Sequence, residues 1–542
     1  MRTQVLVVGA GPAGLVLAAL LADHGVDLVI VDAKPGPVAE SRAAILHVRT
    51  LELLDRLGLA RKAVAQGVPM TGVELFERGR RVGSLPLAGP AAGTPFPYAL
   101  GLEQDRTERL LVDWLAERGH TVEWNTELLA LADGPDEAEA VIRRPNGVQE
   151  TVSARWVVGA DGARSAVRHG LGVGFTGRAY DQTGLLADVD IHFPAGSGPR
   201  AGALRLNLTR DGFVGMFRLT GGRYRLFGAV PPGFTPPSAR EEVSHEPYAG
   251  VPVARIQEWF DTYFRVDARL TAATWTALFR IHSRIAERFR AGNVFLVGDA
   301  AHIHSPAGGQ GMNLAIGDAF NLGWKLALVA NEQAHGRLLD SYEAERRPVA
   351  EAMLRGTDRA FALETLRHPI ARWARSHIAG RLLGPLTRLP VVRAGVFRLF
   401  SQTWIGYRHS PAVATGSGDH GGPRPGDRAP YGHLETKACD LFDLIGGTRH
   451  HVLLFESDAT HRRQVQDLLR RYAMDVRVHA LPAAEKTLHA RYAVRGPRLF
   501  LIRPDGHLAY TGSPDEIPRF TAYLDRLHTA RSSDSHGEPP PD

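Results

Sequence analysis

The chain has 542 residues, enough for more than one domain, and its apolar and charged fractions of 44% and 23% are those of a globular protein. Its formal charge of +6 sets 64 Lys plus Arg against 58 acids, but only five of those cations are lysines (Lys34, Lys62, Lys325, Lys437, Lys486) and the arginines are scattered, so no nucleic-acid partner is expected. The single cysteine, Cys439, excludes an internal disulfide and any CxxC redox or zinc unit, which fits a reducing cytoplasm and a protein without a metal site.

At the start of the chain, Val5-Leu6-Val7-Val8 runs into Gly9-Ala10-Gly11-Pro12-Ala13-Gly14 and then into an apolar helical pattern. This is a dinucleotide-binding fingerprint in its required strand–turn–helix context. The glycines permit a tight turn, close approach to a pyrophosphate and close helix packing. Asp32, 18 residues past Gly14 and after a strand expected at 27–31, can accept hydrogen bonds from a ribose. Arg2 and the apolar run through Leu21 have the outline of a secretory signal. Gly9, Gly11 and Pro12 interrupt that run and Asp23 and His24 close it, so neither export nor a membrane span is expected.

Strand and helix signals alternate to about residue 175, with a helix expected over 107–119 and a strand over 121–124. Trp156-Val157-Val158-Gly159-Ala160 is a further short strand, emptying into Asp161-Gly162 and a helix through Arg168. Residues 176–275 change to alternating strands, expected at 204–208, 213–219 and 223–230, which reads as an inserted β-sheet substrate layer. The first domain resumes over 276–414. There Asn293-Val294-Phe295-Leu296-Val297 is followed by Gly298-Asp299-Ala300-Ala301-His302-Ile303-His304-Ser305-Pro306-Ala307-Gly308-Gly309-Gln310-Gly311-Met312-Asn313. That pattern puts Asp299 at a strand's carboxyl end and the amides of 308–313 at a helix N-terminus, where partial positive charge suits an anionic or electron-accepting cofactor. Helices should follow to about Gln402.

Residues 415–430, rich in Gly, Pro and Asp, have the composition of a linker, and 431–530 should form a separate module. Its strands at 451–455, 476–480, 498–502 and 508–510 and its helices near 460–472 and 515–528 give βαβ, hairpin, helix, a thioredoxin-like order. Without a cysteine pair, a structural or homodimer-forming role is expected for it rather than disulfide exchange. Residues 531–542 read as a disordered tail.

These pieces together resemble the FAD-dependent aromatic hydroxylases built like para-hydroxybenzoate hydroxylase, and especially the actinobacterial polyketide hydroxylases with a thioredoxin-like tail. The motifs are Gly9-x-Gly11-x-x-Gly14, Ser41-Arg42-Ala43, Gln104 before Thr107-Glu108, Asp161-Gly162 with Arg168, and Gly298-Asp299 through Asn313. Asp32 departs from the commoner glutamate. The resemblance implies an α/β fold: a discontinuous FAD-binding dinucleotide domain, an inserted β-sheet substrate domain and the C-terminal thioredoxin-like domain. It places Gly9, Gly11, Ala13 and Gly14 at the pyrophosphate and Asp32 at the adenosine ribose. Arg42 and Gln104 go to the pyrophosphate or ribityl region, Asp299 to the ribityl chain, and Met312 and Asn313 to the isoalloxazine, with Pro306, Gly309 and Gly311 also among the cofactor-binding residues. Asp161 belongs to an element that serves both FAD and the visiting NADPH or NADH.

The implied reaction is monooxygenation: hydride from NAD(P)H to FAD, O2 addition at the flavin C4a carbon, and oxygen delivery from the hydroperoxide to a phenolic or polycyclic aromatic substrate, with polyketides included. Epoxidation or Baeyer-Villiger insertion on the same scaffold is the alternative, and a noncatalytic carrier of flavin-type fold a distant one. No tryptophan-x-tryptophan-x-isoleucine signature points to halogenation. No residue announces itself as a general base. His302, His304 and His282 fit packing and loop hydrogen bonding, and alternation alone does not decide which way Arg218, Tyr224 and Phe227 face.

Overall fold

The computed structural model describes residues 1–38, 41–86, 93–196, 198–209, 212–231, 233–234, 250–305, 307–365, 385–387, 389–416 and 421–531. Its first sheet runs in the order Arg290–Ala291, Val294–Leu296, Gln149–Gly159, Arg2–Val8, Leu28–Asp32, Glu123–Trp124, with Ala138–Arg143 attached to its long strand and Glu127–Ala132 attached in turn to Ala138–Arg143. The four central strands are parallel, and Val8 pairs with Gly159, which pairs with Leu296. Their carboxyl ends therefore line up. Gly9, Asp161 and Asp299 emerge along one edge of the sheet, where open α/β folds bind ligands.

The apolar run after Pro12 is the helix Pro12–Asp23, buried from Ala13 through Leu21. It lies between the sheet and the helix Gly311–Ala330, which is itself almost wholly buried. A helix that is apolar all round needs cover on every side, and here it has it. The two helices approach closely: a Cβ at Gly323 would fall 2.6 Å from Leu20 Cδ1.

The second sheet has eight strands, in the order His302–Ile303, Arg269–Ala286, Phe175–His192, Tyr224–Ala229, Phe213–Arg218, Ala203–Leu208, Gly72–Glu77, Arg80–Pro86. It is wider than an insertion at 176–275 alone would make it. Gly72–Glu77 comes from within the first segment to pair parallel with Ala203–Leu208, and the strand Arg269–Ala286 runs past 275 into the returning segment. One face packs on the helix Val253–Phe264 through Leu185, Val214, Met216, Leu226 and Leu278. The other face looks toward the first sheet's loops.

The helix expected over 107–119 spans Gln104–Ala116. It starts a turn earlier because the Gln104 amide is held from outside the helix, donating to Ser41 Oγ at 2.8 Å and Ala43 O at 2.9 Å. The carboxyl-terminal module orders its strands Ala414–Thr415, Leu508–Gly512, Arg498–Ile502, His450–Phe455, Val476–Leu481, with the last two parallel across Ala459–Leu469, a thioredoxin-like arrangement. One side of that sheet, through Val452, Leu454, Leu499 and Leu501, shares a single buried core with the first domain. The 421–430 part of the expected linker is cross-tied: Gly426 N donates to Leu508 O at 2.7 Å, and Arg428 Nε donates to Glu52 Oε2 at 2.8 Å. The tail beyond Arg531 lies outside the described residues.

Gly14 shows how tightly the first turn is built, since a Cβ there would fall 1.9 Å from Gly9 O. Gly14→Ala should therefore cost about 1–3 kcal/mol through forced backbone displacement. Thermal unfolding should show a lowered midpoint for the variant, whereas Gly25→Ala, with open space around it, keeps only the smaller cost of its φ of +67°.

Candidate flavin site

The site is built from the sheet-edge loops, beginning with three glycines that have three different jobs. Gly9 adopts φ +104° and sits against Ala160 O, 2.4 Å from where its Cβ would be. Gly14 lets the helix press on the turn. Gly11 has nothing within 4 Å of its Cβ position, so the mouth of the turn is an open cradle at a helix N-terminus. Asp32 stabilises the same turn: Oδ2 accepts from Ala10 N at 2.6 Å and Oδ1 from Lys34 N at 2.8 Å. Lys34 Nζ lies 3.5 Å from Oδ2, and Oδ1 retains a further lone pair for a ribose hydroxyl.

Two more loops close on this turn. A Cβ at Gly298, φ +60°, would lie 2.9 Å from Ala315 Cβ and 3.4 Å from Ala13 Cβ, so the first loop, the 298–301 turn and the long helix meet there. Asp299 opens to solvent at the cleft while protein surrounds its other sides; desolvation pushes its carboxyl above the usual range, against the pull of His302 and Arg42. Arg42 and Asp299 are thus brought into electrostatic reach across the cleft. The Arg42 loop is held from the second sheet, where buried Arg225 donates to Ser41 O at 2.6 Å and Arg42 O at 3.3 Å while pairing with Asp188 at 2.9 Å. Gln104 Nε2 donates to Glu108 Oε1 at 2.9 Å, and Glu108 Oε2 accepts from Val38 N at 2.8 Å, so both brace the same loop.

Asp161 is half-buried, its Oδ2 accepting from Val167 N at 3.1 Å and its Oδ1 buried without a partner among the described residues. Desolvation pushes this carboxyl up as well. Arg168 does not reach into the cleft. It is buried, donates to Ala300 O at 3.0 Å and Ala163 O at 2.9 Å, and so staples the Asp161 turn to the Asp299 turn.

The 308–313 loop passes through two left-handed glycines, Gly308 at φ 79° and Gly309 at φ 63°, before the helix begins at Gly311. The first intrahelical bond shown is Leu314 N to Gln310 O at 2.9 Å. The helix itself therefore offers no acceptor to the amides of Gly311, Met312 and Asn313. The Asn313 side chain is wholly engaged. Oδ1 accepts from His47 N and Thr50 Oγ1, both at 2.7 Å, and Nδ2 donates to Ile45 O at 2.8 Å and Gly309 O at 2.9 Å. Only its backbone is left for a ligand. Met312 is buried and packs into the main core. Pro306 lies outside the described residues.

The histidines are loop braces. His302 Nε2 donates to Asp318 Oδ2 at 2.7 Å, and Gly298 N donates to the same oxygen at 3.1 Å. His304 Nδ1 donates to Ser305 O at 2.8 Å, and burial lowers the ring to about 4. His282 lies on the strand Arg269–Ala286, where burial and then Arg284 and Arg280 lower it. His47, which sequence reasoning missed, donates from Nε2 to Gly308 O at 3.1 Å. Nothing local marks it; its role comes from a partner 261 positions away.

Facing the loop across the cleft is the inner side of the second sheet. The register Leu206–Gly215–Phe227–Leu186 places these residues in one row across four strands, and Gly184 pairs with Phe279. Phe227 packs over Gly215, its Cζ 2.2 Å from that residue's Cβ position, and Phe279 packs over Gly184 at 2.6 Å. Ile45, which abuts Gly309, shares an apolar cluster with Phe217, Phe227 and Leu204, while Phe400 abuts Gly308 and packs on Val73, Leu75 and Leu206. So Phe227 faces the loop, Tyr224 packs on the opposite face and Arg218 is exposed. A glycine inside a strand signals close approach, and Gly215 and Gly184 were the signals that could have revealed this wall.

Residues 2–357 match the family described as FAD binding domain, and residues 422–530 match the aromatic-ring hydroxylase C-terminal family. The chain is 34% identical to 6-methylpretetramide 4-monooxygenase of Streptomyces rimosus, across 99% of this chain and 97% of that protein. It is 33% identical to pentachlorophenol 4-monooxygenase of Sphingobium chlorophenolicum, across 86% and 83%. The flavin-dependent monooxygenase PieE, solved in complex with FAD and substrate, has the same fold at a TM-score of 0.81 and 23% identity, across 97% of this chain and 99% of that one.

Burial holds His47 down at about 4, while its bonds to the Gly308 and Gly309 carbonyls work the other way. The unfolded chain therefore binds a proton that the folded one refuses between pH 6.5 and 4. The stability this contributes is complete above pH 6.5 and is lost as pH falls toward 4. His47→Gln removes that titration, so in denaturant unfolding the wild type should lose about 3 kcal/mol more than the variant between pH 7 and pH 4.

Proposed function

Because this chain belongs to the family of FAD-binding aromatic-ring hydroxylases, we propose that it is an FAD-dependent monooxygenase that uses NAD(P)H and O2 to hydroxylate a flat phenolic or polycyclic aromatic compound. The observation that carries this reading is the facing of two surfaces across one cleft: backbone amides at 311–313 for which the helix itself offers no acceptor, and a wall of phenyl rings packed over strand glycines.

The residues present fit the cofactor. The open cradle at Gly11, with Gly9, Ala13 and Gly14 around it, would hold the pyrophosphate, and Asp32 the adenosine ribose. Arg42 and Gln104 would hold the pyrophosphate or ribityl region, and Asp299 the ribityl chain. Gly309, Gly311, Met312 and Asn313 would meet the ring through their main chain, and the half-buried Asp161 turn would serve the cofactor and the visiting nicotinamide. Bound FAD supplies the electron acceptor and the oxygen-activating centre.

The rest is the chain's own work. Amides at a helix N-terminus stabilise negative charge where it develops, as oxyanion-hole donors do. The wall of Leu204, Leu206, Phe217, Phe227 and Phe400 excludes water and orients a planar substrate parallel to the sheet. Those apolar side chains offer no charged clamp, which favours a neutral ring system over a small aromatic carboxylate. Pentachlorophenol, the substrate named for one relative, is likewise a ring compound without a carboxylate.

The test is to titrate FAD into the purified protein, then supply NADPH or NADH with a panel of neutral polycyclic phenols and analyse product mass. Expected are a bound yellow flavin, substrate-stimulated nicotinamide oxidation and gain of one oxygen with the ring intact. A protein that refuses FAD overturns the reading. Gly215→Ala, which must push Phe227 off the sheet, should raise KM for the accepted substrate about tenfold and divert reducing equivalents to peroxide. FAD affinity should stay at the wild-type value.

A further inference from the structure

The carboxyl-terminal module enters the flavin half of the molecule through buried charge, at the far side of the helices that carry the site. Arg503, next after the strand Arg498–Ile502 and only 1% exposed, makes a two-pronged bond to Glu345: Nη1 to Oε1 at 2.7 Å and Nη2 to Oε2 at 2.9 Å. Glu345 also accepts from Asn321 Nδ2 at 2.5 Å, Lys325 Nζ at 2.8 Å and Ser410 Oγ at 2.5 Å. Burial alone would raise Glu345, but Arg503 and then Lys325 hold it at about 2. The neighbouring Arg346 donates from Nε to Asp318 Oδ1 at 2.6 Å, and Asp318 holds Gly298 N and His302 in the cleft.

The same corner reaches the second wall of the site. Arg503 pairs with Asp505 at 2.5 Å, and the Asp505 carbonyl accepts from Arg49 Nη2. Arg49 bonds Glu52 at 2.9 Å, and Arg428 of the module's leading segment bonds Glu52 as well. Arg49 and Glu52 lie on the helix Val48–Arg56, whose first turn grips Asn313 through His47 N and Thr50 Oγ1. One corner of the module thus holds two helices that are cross-linked to each other at the flavin loop.

Glue alone does not require charge. A buried ion pair contributes little net stability compared with well-packed apolar residues, whereas a bidentate guanidinium–carboxylate bond fixes direction and spacing. We propose that Arg503 is a positioning residue for the flavin loop: by fixing Glu345 and Asp505 it sets the spacing of the helices 48–56 and 311–330, and so the aim of the amides at 311–313. The proposal rests on the reading of that loop as the flavin cradle. It gives the cysteine-poor module a use that involves no redox chemistry of its own.

The experiment compares Arg503→Met, Arg503→Lys and Thr448→Val in the full chain. Thr448 Oγ1 donates to Asp23 Oδ2, a module contact to the helix Pro12–Asp23 that involves none of Arg49, Glu52, Glu345 or Asp505, so its loss is expected to weaken docking only. The readouts are the FAD dissociation constant, amide hydrogen exchange at 45–50 and 308–313, and apparent melting temperature. Arg503→Met should weaken FAD binding by about tenfold or more and speed exchange at both segments, with Arg503→Lys intermediate because one prong survives. Thr448→Val should lower the melting temperature yet keep wild-type FAD affinity and exchange. Wild-type values in both Arg503 variants overturn the proposal, as does a Thr448→Val loss equal to theirs. If Arg503→Met does not fold, Arg503→Lys decides. A wild type that binds no FAD would sink the flavin reading instead, and the exchange comparison would still decide this one.

Discussion

A single carboxamide holds the site's geometry in place. Asn313 spends its whole hydrogen-bonding capacity, two lone pairs and two N–H groups, on Ile45, His47, Thr50 and Gly309. Two consecutive left-handed glycines would otherwise leave the loop free to choose among many conformations. Because the side chain is used up internally, the donors left to face a ligand are main-chain amides, whose direction is fixed by the helix they begin. The loop's precision therefore belongs to contacts between segments more than 250 positions apart.

Around that cross-link the two sheets divide the labour. The first contributes loops at aligned strand ends, so its chemistry is backbone donors, glycine clearances and two carboxyls raised by desolvation, Asp161 and Asp299. The second contributes a flat side-chain wall and, through Arg225, a hand on the Arg42 loop. Neither sheet is a site alone. The fold that resembles a nucleotide-binding domain with an insertion is better described as two surfaces whose facing is the functional unit.

What was legible in the sequence was whatever depends on neighbours in the chain. The glycine turn with Asp32, the Asp161 and Asp299 strand ends and the helix opening at Gly311 all follow from short-range pattern. The βαβ, hairpin, helix order of the last module does too. Less legible was whatever depends on distant partners. Gly72–Glu77 reads as one more strand of an α/β unit, yet it pairs with Ala203–Leu208, because a parallel edge was open there. Asn313 was expected to face a cofactor but not to be a cross-link, and His302 was expected to brace its loop without any sign that Asp318 would be its partner. Arg168 read as part of a cofactor motif, and the structure shows a staple between two turns.

Charge is where composition and structure diverge most. Scattered arginines among nearly as many acids look like an ordinary solvated surface, but Arg49, Arg56, Arg168, Arg205, Arg225, Arg346 and Arg503 are all buried. A guanidinium suits that role: it is planar, always charged and weakly hydrated, and its fork satisfies two acceptors at once, where an ammonium on a flexible stem must be surrounded. Lys325 shows the contrast, since burial drags it down to about 8 even beside Glu345. The interior is thus tied by directional bonds as well as filled by apolar packing. That combination lets a module with a single cysteine bear, through Arg503, on the spacing of the two helices that carry the 308–313 loop.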